Sequence, residues 1–291
     1  MTVASVQARI GARSPAGEAW RRLRRNRLAM LGAALLVAMV AVAAVTPWIT
    51  PYPYAKTQLA YGARAPSWQH PLGTDELGRD LLTRVMWGAR VSLGVGVLAT
   101  LVSLTIGVSY GALAGYLGGR ADQLMMRVVD ILYGLPFMFF VIILMVVLGR
   151  NIFNLFIALG AVQWLTMARI VRGQVLALKV RDFVQGARAL GGGSLRILAV
   201  HLVPNAAGPI IVYATLTVPA VMLEEAFLSF LGLGVQPPMA SWGSLASEGA
   251  VAMEPYPWLI LFPGLALTVT LFSLNFLGDG LRDALDPQIT R

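Results

Sequence analysis

The sequence predicts an all-α membrane protein of six transmembrane helices, and three observations predict it. Of the 291 residues, 57% are hydrophobic and only 13% are charged. An ordinary soluble domain carries about 25% charged residues to keep its surface solvated, whereas lipid-facing helices need polar groups only in loops and along water-filled paths. Six apolar stretches can be threaded across a bilayer at about 20 residues each. That threading then places most Lys and Arg on one side, a test independent of hydropathy.

Residues 1–27 read as a basic N-terminal tail, and the first span as Leu28 to Ile49. Arg21, Arg22, Arg24, Arg25 and Arg27 before an apolar run also fit a signal peptide. The run is of full spanning length, and losing it would leave five spans with termini on opposite sides, so an uncleaved helix fits better. Residues 50–90 form an external segment in which Pro51, Tyr52, Pro53 and Tyr54 disfavour continuous helix.

A five-helix core occupies residues 91–280, and 281–291 form a C-terminal tail. Val91 to Leu117 and Val128 to Leu148 pass readily as spans. Three further spans carry polar interruptions: Ile152 to Val171 with Gln163 and Arg169, Ala206 to Leu231 with Glu224 and Glu225, and Trp258 to Gly278. Between the last two lies an external stretch, Gly232 to Pro257, with Trp242 and Trp258 as interfacial anchors. With both termini inside, the cytoplasmic side holds seven, two, six and two basic residues, seventeen in all, against six outside.

In the second span Ala99, Ser103, Gly107, Gly111, Gly115 and Gly119 recur every four residues, a ridge of small side chains that lets another helix approach closely. Either tight packing or a contact beside a moving pathway accounts for it. The same run formally matches the G-x-S-x-G nucleophile elbow at Gly107, Ser109 and Gly111. That motif requires a strand-to-helix turn, which an apolar helix does not supply. Pro136, Pro209, Pro219 and Pro263 each remove a helical hydrogen bond and are expected to interrupt their spans.

Charges inside a membrane are costly unless paired or solvated. Asp130 follows Arg127 by three residues, so a local helical ion pair is expected. Glu224 and Glu225 fall roughly 27 Å along the fifth helix, near its external end. They read either as solvated interfacial carboxylates or as pathway or external-gate groups that meet a cationic substrate.

Several function classes are excluded. Without cysteine there is no disulfide, thiolate metal site or cysteine nucleophile. The net charge of +9 is spread between apolar runs, which points to membrane orientation in a lipid bilayer rather than to nucleic acid. His70 and His201 fall on opposite sides of the membrane and cannot form one metal site or catalytic pair. The two lysines, Lys56 and Lys179, do not follow glycine, so a P-loop is impossible and any ATP must be bound by another chain.

The longest cytoplasmic connection, residues 172–204, carries Phe183, Ala187, Leu190, Leu195, Leu198 and Leu202 around Gly191, Gly192 and Gly193. This spacing predicts two short amphipathic helices joined by a glycine turn, a surface suited to docking on a partner. Gln185, Gly186, Ala187, Arg188, Gly191, Leu195 and Pro204 stand in a pattern that resembles the EAA loop of ABC importer permeases, with Gln and Gly at two of the three name-giving positions. HPLGTDELGRDLLTRVMWGARVSLGVG (70–96), LSFLGLGVQPPMASWGSLASEG (228–249) and NFLGDGLRDALDP (275–287) are similar to the C-type permeases of dipeptide, oligopeptide and nickel importers, the second stretch resembling the oligopeptide type most.

The resemblance implies the type I ABC importer permease fold in a bacterial inner membrane. It implies a B-type permease as partner, one or two ABC ATPases docked at the cytoplasmic loop, and an extracytoplasmic substrate-binding protein. ATP and Mg would belong to the ATPases, with no cofactor in this chain. Peptides are the leading substrate class, with nickel and glutathione as alternatives. A secondary carrier would need an internal repeat with broken helices at midplane, and a membrane-embedded enzyme an acid, base or metal constellation; neither stands out.

Overall fold

A computed structural model describes residues 15–285. Arg9, Arg13 and Arg291 of the basic tally, and the terminal tails beyond those bounds, lie outside the described residues. The described residues are helical, with no β-strand and one isolated bridge between Thr74 and Asp80. Five helices are long and apolar enough to cross a membrane, and a bent pair supplies a sixth span.

Part of the basic tail is itself a helix, α1 (Pro15–Arg25), whose Leu23 packs with Ala29 and Ala284. Asn26 ends it and N-caps the first span, α2 (Arg27–Ile49), by accepting from the Ala29 amide at 3.1 Å. Next comes α3 (Leu81–Leu117), which begins at Leu81 rather than at Val91. Hydropathy missed its first turns because Arg84 and Arg90 lie in them. Asp80 supplies the start signal, its carboxylate accepting from the Thr83 amide at 2.8 Å. At 37 residues, α3 is about 55 Å long and must project beyond a hydrocarbon core of about 30 Å.

Gly118 and Gly119, at φ +65° and +56°, turn the chain from α3 into α4 (Gly119–Tyr133). Gly119 is therefore not part of the small-residue ridge. The ridge from Ala99 to Gly115 packs on α6 (Ile152–Leu178): a β-carbon at Gly115 would stand 2.9 Å from the Arg172 carbonyl, and one at Gly111 would collide with the Ala168 backbone. The third span is broken at Pro136, where α4 and α5 (Phe137–Leu148) meet at 87°.

After α6 the long connection contains α7 (Asp182–Ala189) and then the helical turns Ser194–Arg196, the π-helical Ile197–Leu202, and Val203–Asn205. The fifth span is α8 (Ala207–Phe230), followed by α9 (Trp242–Val251) and the sixth span α10 (Trp258–Leu285). Of the prolines expected to interrupt spans, only Pro136 does so. Pro209 lies in the first turn of α8, where its missing N–H goes unused, and Pro219 and Pro263 sit inside continuous helices.

Candidate translocation face and coupling loop

The end of the molecule where α3 starts is built from paired charges. Asp75 Oδ2 accepts from Arg79 Nε at 2.6 Å and from an Arg84 terminal nitrogen at 2.7 Å, while the same Arg84 nitrogen reaches Glu248 of α9 at 2.8 Å. His70 Nδ1 lies 2.8 Å from Asp80. The external segment is thereby tied both to the start of α3 and to α9. Trp242 is not an interfacial anchor: it is 1% exposed, with its indole N–H donating to the Val85 carbonyl and its backbone N–H to Ser92 Oγ, both at 2.9 Å. Trp258 similarly donates to the Thr74 carbonyl at 3.2 Å.

Glu225 lies beside α9 at this same end. It is 1% exposed, so it is not a solvated interfacial carboxylate, and its Oε1 accepts from Ser229 at 2.8 Å and Ser241 at 2.7 Å. Ser241 is the N-cap of α9 and forms a reciprocal capping box with Ser244. One buried carboxylate thus links the fifth span to the start of α9.

Glu224 points to another place. Its Oε1 accepts from Gln163 Nε2 of α6 at 2.6 Å, and Oε2 is buried without a hydrogen-bond partner. Both border a cavity of about 450 Å³ at the break between α4 and α5, beside Tyr133, Pro136 and Thr166. Tyr133 and Thr166 hydroxyls are 2.9 Å apart. Asp130 pairs with Arg169 at 2.8 Å rather than with Arg127, because α6 brings the guanidinium across and stacks it on the Tyr133 ring at 4.3 Å. Asp130 and Arg169 are about half exposed, Asp130 on α4, which also carries Arg120, Asp122 and Arg127, and Arg169 on the spanning helix α6. A charged pair facing lipid would be expensive, so this face meets water or another protein chain.

At the opposite end of α3 Lys179 Nζ donates to the Gly115 carbonyl at 2.8 Å and satisfies the end of that helix. The loop beyond it is amphipathic as expected, but its buried stripe is Val184, Ile197 and Leu202, whereas Phe183, Leu190 and Leu195 are exposed, the last two by 90% and 79%. Gly191 turns at φ +81°.

Residues 107–291 match the family model described as "binding-protein-dependent transport system inner membrane component". The chain belongs to that family. Residues 14–66 of this permease also match the N-terminal transmembrane domain of oligopeptide transport permease C. The permease is 50% identical over 273 residues to the oligopeptide transport system permease protein OppC of Haemophilus influenzae, covering 93% of this chain and 88% of that one. It is 46% identical to the dipeptide transport system permease protein DppC of Bacillus subtilis, over 94% and 86% of the two chains. To the glutathione transport system permease protein GsiD of Escherichia coli it is 41% identical, over 95% and 92%. It is a multi-pass membrane subunit of an ABC importer.

In this permease the loop residues singled out from sequence fall together. Gln185, Gly186, Arg188, Gly191, Leu195 and Pro204 are exposed, and Ala187 is half-buried. Gln185 reaches back to the Lys179 carbonyl at 3.4 Å. Glu224 and Glu225, adjacent in sequence, separate into a cavity and a structural lock. Sequence reading missed Tyr133 and Thr166, and saw Gln163 and Arg169 as interruptions without partners. It also missed Asp122, which α6 holds through Arg172. The available signal was polarity inside an apolar run; the pairing required knowing which helices touch.

Proposed function

We propose that this permease forms half of an ATP-driven translocation pathway for peptides. It pairs with a B-type permease, receives cargo from an extracytoplasmic binding protein, and is driven by separate ATPase subunits that hold ATP and Mg. The observation that carries the reading is the half-exposed polar face of Asp130, Tyr133 and Arg169 on membrane-spanning helices, which requires water or a second chain beside it. Relatives named for oligopeptide and dipeptide transport support the cargo class.

In this reading both termini are cytoplasmic, Glu224 lines the pathway, and Glu225 holds the external gate by anchoring α9. Residues 172–204 are the coupling loop: Gln185, Gly186, Ala187, Arg188, Gly191, Leu195 and Pro204 face the ATPase, with exposed Leu190 and Leu195 as apolar contacts. The decisive experiment is reconstitution with its partners in liposomes. ATP-dependent peptide uptake should need the second permease, the ATPases and the binding protein together. Uptake driven by this chain alone would refute the assignment.

A further inference from the structure

The cavity at the break of the third span holds a carboxylate with one oxygen committed and one free. Gln163 occupies Glu224 Oε1 at 2.6 Å, and Oε2 is buried with no partner. No Lys or Arg lines this cavity. An ionised carboxylate left so is costly in a membrane, and a cation entering the cavity would remove the cost.

We infer that this cavity binds a primary ammonium group, and, resting on the peptide-pathway reading, the free N-terminus of the peptide in transit. The chemistry of the lining selects the cation. A guanidinium is best met by two carboxylate oxygens in a bidentate pair, and Gln163 has taken one. A Ca²⁺ ion wants six to eight oxygen ligands, and the cavity has one carboxylate with one of its oxygens already taken. An ammonium is a compact charge with three donors. Glu224 Oε2, covered in this structure, becomes the charged acceptor when the side chain turns into the cavity, and the Tyr133 and Thr166 hydroxyls, 2.9 Å apart, supply neutral ones. At about 450 Å³ the cavity has room for the terminal residue that carries the group, and Leu135 and Phe137 offer it an apolar wall.

The chain contains no cysteine, so Leu135→Cys would be its one thiol, at the cavity wall, with labelling read on this chain against the transporter that lacks the substitution. In the assembled transporter in nanodiscs, its labelling rate by an anionic, water-soluble methanethiosulfonate is measured against increasing trialanine or N-acetyl-trialanine. Trialanine should halve the rate at a roughly tenfold lower concentration than the acetylated peptide. Glu224→Gln should abolish that difference, and Glu224→Asp should keep it. Equal potency of the two peptides against Leu135→Cys overturns the ammonium site, as does a difference that survives Glu224→Gln. If Glu224→Gln fails to assemble, the two peptides and Glu224→Asp decide. A cysteine that never labels, with or without ATP, overturns the aqueous pathway and the ammonium site with it.

Discussion

Arg172 grips Asp122 with two nitrogens, Nε on Oδ1 at 2.5 Å and a terminal nitrogen on Oδ2 at 2.6 Å. The pair fastens α6 to the first turn of α4, directly after the Gly118 and Gly119 turn. It therefore sets the direction from which α4 approaches the break at Pro136, and with it where Tyr133 stands on the polar face. Asp122 is 5% exposed, so its carboxylate depends on this partner.

Asp122→Ala should destabilise the permease by about 2 kcal/mol, somewhat below a fully buried pair because Arg172 is one-third exposed. Arg172→Lys should recover little, since an ammonium cannot reproduce the two-pronged contact. Thermal unfolding of the detergent-solubilised protein measures both; an unchanged midpoint for Asp122→Ala would contradict the role.

Gly111 lies where α3 and α6 touch, and any β-carbon there meets the Ala168 backbone. Gly111→Ala should cost about 1–3 kcal/mol, because backbone atoms cannot rotate away. Gly173, also on α6, has open space around its α-carbon, and Gly173→Ala should be neutral or slightly stabilising. Yield and melting temperature of the two variants, measured side by side, provide the comparison.

Glu225→Ala should loosen α9. Ser229 and Ser241 would lose their buried acceptor, at about 1–3 kcal/mol. Hydrogen exchange across residues 232–257 should accelerate more than exchange in α3. Uniform acceleration throughout the chain would mean that the carboxylate stabilises the bundle as a whole and is no local lock.

At Gly191 the φ of +81° is the whole constraint, because nothing lies within 4 Å of an added β-carbon. Gly191→Val should strain the turn by roughly 1–2 kcal/mol, whereas Gly191→Asn, a residue that tolerates this region, should be accepted. If the loop couples to the ATPases, Gly191→Val should lower ATPase stimulation by loaded binding protein while membrane insertion stays normal. Gly191→Asn should retain stimulation. Equal stimulation in both variants would remove the turn from the coupling mechanism.

Much of the architecture is readable in the chain because lipid imposes a simple rule: a span must be apolar for about 20 residues. Runs such as Leu28 to Ile49 obey it outright. The rule failed at the start of α3, where Arg84 enters the helix because Asp75 and Glu248 neutralise it from distant segments. Pro136 marked a true break, while Pro219 and Pro263, chemically identical, did not, since neighbouring helices decide whether a freed carbonyl is tolerated. Composition and periodicity thus specified the number of spans, the helical class and the site of the amphipathic loop, all properties of residues near one another in sequence. Which charge meets which was settled by packing: Asp130 passed over Arg127 for Arg169, and two consecutive glutamates took opposite duties. Ion pairs and cavities depend on atoms a few ångströms apart in space, and the chain brings those together only once its helices have docked.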